Sequence, residues 1–197
     1  KAVGYRACLP VTDPQCLVDL ELPDPVPGPR DLLVRVHAVS VNPVDTKVRR
    51  NVAPADGETR VLGFDAAGVV EAVGEQVRSF KPGDAVWYAG SRSRQGTNAE
   101  LHLVDERIVG RKPQSLDYAQ AAAMPLTAIT AWEALFDRLQ LRLGKPHDDG
   151  VLLITAGAGG VGSIAIQLAR RLSGATVVAS ASRPESREQV LGLGAHL

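Results

Sequence analysis

The sequence predicts a chain in two parts, a β-barrel followed by the opening of an α/β unit. Three features carry that expectation. Short strand-forming runs alternate with turn residues as far as about residue 115. Beyond Pro113 the texture changes to alanine-rich, helix-spaced segments. Near residue 150 a short apolar run opens into a glycine cluster and then into a helical pattern. The expected units are residues 1–115 and residues 116–197.

In chain order, barrel strands are expected at 2–7, 17–22, 32–41, 68–73, 85–89, 99–104 and 108–111. The proline-rich run at 25–29, Gly74, Pro82-Gly-Asp84 and Gly90 supply the turns. Many short strands at this spacing suit a barrel or sandwich. Gly63, Gly68 and Gly74 mark bends or close approaches of the wall. The polar stretch 51–60 reads as an exposed loop. Helices are expected at 117–123 and after Pro125, where Ile129, Trp132, Phe136 and Leu139 fall at helical spacing. Residues 143–149 form a polar connection. The run 151–155 reads as a buried strand and 176–180 as the next strand. Ser182, with Glu185 three residues on, reads as a helix start.

Composition narrows the class. Hydrophobic residues make up 45% and charged residues 22%, as in a soluble globular protein. The 22 basic and 22 acidic residues give a net charge of zero. That balance argues against a nucleic-acid surface or a polybasic membrane patch. No apolar run approaches the ~20 residues of a membrane span. The first residues lack a signal-peptide layout, and a cytoplasmic setting is expected. Cys8 and Cys16 make neither a disulfide framework nor a four-ligand zinc site. Few residues follow the glycine cluster, fewer than an open doubly wound sheet needs. The sequence therefore reads as a truncated part of a longer protein.

The glycine cluster carries the first chemical expectation. The spacing G-x-G-x-x-G falls on Gly157, Gly159 and Gly162, with Gly160 and Val161 between them. Gly157 permits a sharp turn, Gly159 lets a pyrophosphate approach the main chain, and Gly162 lets the helix pack closely. The helix start offers free N–H groups and partial positive charge to phosphate. The bland alternative is a tight turn that binds nothing. A dinucleotide site for NAD has an acidic residue about 20 positions on. Ser180, Ser182 and Arg183 occupy that place here, and hydroxyls with an arginine suit a 2′-phosphate. NADPH is the expected cofactor, although Ser182 could simply cap a helix and Arg183 be solvated.

Several motifs then resemble one family. They are Asn42-Pro-Val-Asp45, Leu62-Gly-Phe-Asp-Ala-Ala-Gly68, Lys81-Pro-Gly-Asp84, Pro125-Leu-Thr-Ala128 and the glycine loop. In this order they resemble the medium-chain dehydrogenase/reductase superfamily, and most of all its quinone oxidoreductase branch. Val86-Trp-Tyr-Ala-Gly90, Gly96-Thr-Asn-Ala-Glu100 and the stretch from Val104 to Pro113 are similar to a bacterial "zinc-type alcohol dehydrogenase-like" subgroup. The resemblance implies a GroES-like barrel, a Rossmann domain and a homodimer. It places Asn42 and Asp45 facing nicotinamide and substrate, and Thr127 near the nicotinamide.

The subgroup's label implies zinc, and the residues argue otherwise. Zinc-dependent relatives carry a cysteine in the segment matching residues 40–45 and Gly-His-Glu where this chain has Gly63-Phe-Asp65. Phenylalanine cannot bind a metal, and His37, His102, His147 and His196 have no ligand spacing. No metal is expected. Phe64 and Asp65 are expected to line the substrate pocket instead. Without a metal to activate an alcohol, hydride transfer from NADPH to a quinone or α,β-unsaturated carbonyl is the expected reaction. The Asn42 amide is the candidate donor to the developing negative oxygen. The alternatives are a zinc-dependent alcohol dehydrogenase and an NADPH-binding protein with little turnover.

Overall fold

A computed structural model describes residues 1–144 and 148–197. His147, and part of the expected connection at 143–149, lie outside the described residues. The chain divides into two compact units, Lys1–Leu126 and Thr127–Leu197.

The first unit is built on two antiparallel sheets. Strands β1 (Ala2–Tyr5), β2 (Val18–Leu20) and β4 (Arg60–Val61) form one, in the order β2-β1-β4. Strands β3 (Asp31–Ser40), β5 (Asp65–Val73), β6 (Ala85–Ala89), β7 (Leu101–Asp105) and β8 (Val109–Arg111) form the other, ordered β7-β3-β5-β6-β8. Alternation in β3 turns Leu32 and Val34 into the core, where they meet Ala66, Val70, Val86, Tyr88 and Val104. Burying each such aliphatic side chain stabilises the unit by about 1.5–3 kcal/mol. Gly68 is required where β3 and β5 run closest, because a Cβ there would collide with the Arg35 carbonyl.

Three local readings change in this unit. Residues 51–60 are not wholly loop: Arg60 opens β4 and pairs with Tyr5. Residues 43–51 form a helix, α1 (Pro43–Asn51), with the proline at its start, where a missing N–H costs nothing. The change of texture near Pro113 also precedes the division of the units. Helix α2 (Tyr118–Ala122) belongs to the first unit, because Ala121 and Ala122 pack on Ala67.

The second unit contains α3 (Pro125–Trp132, entering it at Thr127), a π-type turn at Glu133–Arg138, β9 (Val151–Ile154), α4 (Gly160–Leu172), β10 (Thr176–Ala179) and α5 (Pro184–Gly192). Strands β9 and β10 pair in parallel, and their connection is the helix α4. The core gathers Ala131, Leu135, Ala165, Ile166, Ala169, Val177 and Val190. The expected apolar stripe on α3 holds only at Phe136, which packs partly buried against the core. Ile129, Trp132 and Leu139 are exposed, and Ala131 and Leu135 face the core. The π-type turn, with Leu139 N–H bonded to the Ala134 carbonyl, shifts the phase only beyond Trp132 and so bears on Leu139 alone of the exposed three. The strand expected to be buried also differs: Val151 and Leu153 lie on an exposed face, while Leu152 and Ile154 alternate onto the core. Ser182 does not cap α5; Arg183 holds that position, with no side-chain cap bond. Among the described residues no helix is long and apolar enough to cross a membrane.

Candidate functional site

In the first unit, strand β3 ends at Ser40 and α1 begins at Pro43, so Asn42 lies on the corner between them. Its extended backbone starts the helix, and its N–H donates to Asp45 Oδ2 at 2.6 Å. That is half of a capping box. The Asn42 side chain lies within reach of the Asp45 N–H, the other arm of the box, and its amide nitrogen reaches beyond the helix. Its Nδ2 donates to Asp65 Oδ2 at 2.8 Å and more weakly to the Ser40 carbonyl at 3.4 Å.

Asp65, the first residue of β5, is fully buried. Its Oδ1 accepts from the Leu126 N–H at 2.8 Å, and its main-chain carbonyl accepts from Thr97 Oγ1 at 3.1 Å. Burial pushes its carboxyl up from the ordinary 3.8 to about 6; Asp45 adds to the rise, and the bonds from Asn42 and Leu126 oppose it. Burial also raises Asp45, whose Oδ1 has no hydrogen-bond partner among the described residues. Phe64 is buried beside Tyr5, Val48 and Leu62, with Val44 and Leu126 packed against them. Asn42, Asp45, Phe64 and Asp65 are thus gathered around one corner of the first unit. Spacing does not reveal the Asn42–Asp65 bond, nor the parts of Thr97 and Leu126, because the partners come from separate segments.

This donor set tests the zinc implied by the subgroup's label. Both Asp65 oxygens face N–H donors, and Phe64 has no lone pair. Among the described residues no group of three or more His, Cys, Asp or Glu side chains could hold a metal ion. The residues do not fit a catalytic zinc, which needs three protein ligands. His102 is held otherwise: Tyr88 hydroxyl and His102 Nδ1 lie 3.1 Å apart, and Nε2 lies 3.0 Å from the Gln95 carbonyl. A neutral ring that donates from Nε2 and accepts at Nδ1 satisfies both contacts. Burial lowers its pKa to about 4, in keeping with that neutral ring.

In the second unit the glycine loop joins β9 to α4. Its left-handed residue is Ala156, with φ 52°, and not Gly157. Gly157 is small for packing: a Cβ there would lie 2.9 Å from Ala179 Cβ and 3.1 Å from Val190. A Cβ on Gly162 would come within 2.6 Å of the Ala156 carbonyl oxygen, which supports the close-packing expectation. Ser180 ties the loop down, its Oγ accepting from the Ala156 N–H at 3.1 Å and its carbonyl from Gly157 N–H at 3.0 Å. Thr127 is drawn to the loop as well; its methyl lies 3.3 Å from where a Cβ of Gly160 would stand.

Helix α4 starts at Gly159 without a side-chain cap. The N–H groups of its first turn have no partner within the helix. Gly160, Val161 and Gly162 could therefore hold a phosphate, as helix N-termini do, while the Gly159 N–H is taken by the Ala156 carbonyl at 2.9 Å. Ser182 and Arg183 are exposed just past β10. Arg183 is free to meet a further phosphate group, while the Ser180 hydroxyl already serves the loop.

A two-sheet unit carrying this polar corner, followed by a glycine-loop α/β unit, is the architecture of the medium-chain dehydrogenases and reductases. The alcohol dehydrogenase GroES-like domain matches residues 28–125. The chain belongs to the medium-chain dehydrogenase/reductase superfamily. It is 42% identical over 196 residues to a zinc-type alcohol dehydrogenase-like protein of Staphylococcus epidermidis, covering 99% of this chain and 57% of that one. It is 40% identical over 174 residues to the chloroplastic NADPH-dependent alkenal/one oxidoreductase of Arabidopsis thaliana, covering 84% of this chain and 44% of that one. Among solved structures, a provisional zinc-dependent alcohol dehydrogenase of Rhizobium etli CFN 42 superposes with a TM-score of 0.93 at 60% identity, covering 99% and 57% of the two chains. The Escherichia coli quinone oxidoreductase complexed with NADPH superposes at 0.80 and 28% identity, covering 98% and 56%. The chain thus spans less than two thirds of the length of these relatives.

Proposed function

We propose that the protein is an NADPH-dependent oxidoreductase that passes a hydride to a quinone or an α,β-unsaturated carbonyl without a metal. The observation that carries this reading is the corner at Asn42, Phe64 and Asp65. An amide, a phenyl ring and a carboxylate already bonded to an N–H on each oxygen make a poor ligand set for a metal. The names of the Arabidopsis and Escherichia coli relatives point to alkenals, quinones and NADPH, and support the same class.

Each residue has a part in this reading. Gly160, Val161 and Gly162 bind the pyrophosphate, Gly159 lets it approach the main chain, and Gly157 keeps the turn compact. Arg183, with Ser180 and Ser182, favours a 2′-phosphate over a bare ribose. Thr127 buttresses the loop. Bound NADPH supplies the hydride. Phe64 gives the acceptor an apolar wall. Asn42 holds one N–H firmly on Asp65 and the other loosely on Ser40, and the loose one turns to the acceptor oxygen as charge develops. Asp45 pins the Asn42 main chain. On family grounds we propose a cytoplasmic homodimer.

Acceptor-dependent oxidation of NADPH, after metal analysis, tests the reading. The panel holds benzoquinones, naphthoquinones, short enones and aldehydes, with NADH as control. Turnover with quinones or enones in metal-free protein is expected, and Asn42→Ala should lower kcat by roughly 100-fold or more, as loss of an oxyanion donor does. Tight NADPH binding without turnover would overturn the reading in favour of a binding protein. Aldehyde reduction that depends on added zinc would overturn it in favour of an alcohol dehydrogenase.

A further inference from the structure

Asp65 stands where three separate segments meet. One carboxylate oxygen takes the Asn42 amide, the other takes the Leu126 N–H, and its main-chain carbonyl is held by Thr97. An ionised carboxylate offers only lone pairs, so it selects the NH2 end of a neighbouring amide. We propose that Asp65 is the positioning residue that fixes the orientation of the Asn42 amide, with NH2 toward the carboxylate. What this does for catalysis rests on the reading above, in which Asn42 serves the acceptor; the orientation itself does not.

The same contact makes the amide sensitive to protonation of Asp65. The Leu126 N–H keeps Oδ1 an acceptor, so a proton on Asp65 belongs on Oδ2, facing Asn42. There it would oppose N–H with O–H, donor against donor. Rotating the amide by half a turn removes the conflict and gives up the weaker contact of the amide oxygen with the Asp45 N–H in exchange. The amide oxygen then accepts from the carboxylic O–H, and the amide N–H that was bonded to Asp65 is released. The surroundings keep this equilibrium near neutrality. Ser40 on β3, Ala89 opposite on β6 and Thr97 on the neighbouring turn are uncharged. The start of α3 contributes the Leu126 N–H. Asp45 on α1 is the ionisable side chain whose charge acts on Asp65, and it favours the protonated form. Protonation therefore improves Asn42 as a donor to a developing oxyanion and removes a like charge from beside it.

The test is a pH titration of the 15N-labelled full chain, following the side-chain NH2 resonances of Asn42, assigned by their loss in Asn42→Ala. One transition is expected in the wild type, with a midpoint near 6 that coincides with that of the Asp65 side-chain carboxyl carbon. Asp65→Asn should abolish it, and Asp45→Asn should move its midpoint down. Asn42 resonances that stay still while Asp65 titrates would overturn the proposal. So would a transition that survives in Asp65→Asn. Should Asp65→Asn fail to fold, the shared midpoint in the wild type decides alone. No substrate is used, so a negative result here leaves the acceptor assay to judge the proposed reaction separately.

Discussion

Replacing Gly162 by alanine should weaken the second unit, although alanine is the better helix former. Gly162 lies in the first turn of α4, and a Cβ there would stand 2.6 Å from the Ala156 carbonyl oxygen and 2.8 Å from the Cα and oxygen of Gly157. All three atoms are backbone, so no side chain can swing aside. Overpacking of this kind costs about 1–3 kcal/mol. The gain in helix propensity offsets at most about 1 kcal/mol. The net expectation is a loss of roughly 1–2 kcal/mol, or a fall in Tm of about 2–8 °C for a chain of this size. Urea unfolding followed by circular dichroism reads it. Gly192, in the last position of α5, has no atom within 4 Å of a built Cβ. Gly192→Ala should be neutral or stabilising by up to about 1 kcal/mol. If Gly162→Ala proves as stable as the wild type while Gly192→Ala behaves as expected, the close-packing argument fails.

Three further outcomes are expected. The raised Asp65 carboxyl means that the folded state holds its proton more tightly than the unfolded state does. Its contribution is therefore present below pH 3.8 and is lost as the pH rises to about 6. The size is on the order of 3 kcal/mol. Urea unfolding at pH 5 and pH 7 should show a little under half of this loss, about 1.3 kcal/mol, in the wild type and lack it in Asp65→Asn; equal pH dependence in both would contradict it. Tyr88→Phe should cost about 1–3 kcal/mol in the same assay, because it leaves buried His102 Nδ1 without its donor. Arg183→Ala should weaken NADPH roughly 10- to 100-fold by calorimetry, the worth of a charge-assisted bond, while NADH affinity holds. An equal loss for both cofactors would remove Arg183 from the phosphate site.

The sequence by itself determined the order of the two architectures, most strands of the first unit and the strand–glycine–helix join of the second. These are local matters. Alternation in β3 and the apolar spacing of α4 are imposed by backbone geometry within a few residues. The small residues required at Gly68 and Gly162 were legible for the same reason, since glycine is costly unless something comes close. Only the tertiary structure decided which residues bear on one another. It gave the left-handed turn to Ala156 and assigned Ser180 to anchoring the loop. It put Ala131 and Leu135 beside Phe136 on the core and left Ile129, Trp132 and Leu139 exposed, a choice of face that no local pattern announces. It also joined Asn42 to Asp65, and Asp65 to Leu126, across intervals with no periodicity. A buried carboxylate must find its donors wherever the chain brings them, and that choice belongs to packing in three dimensions.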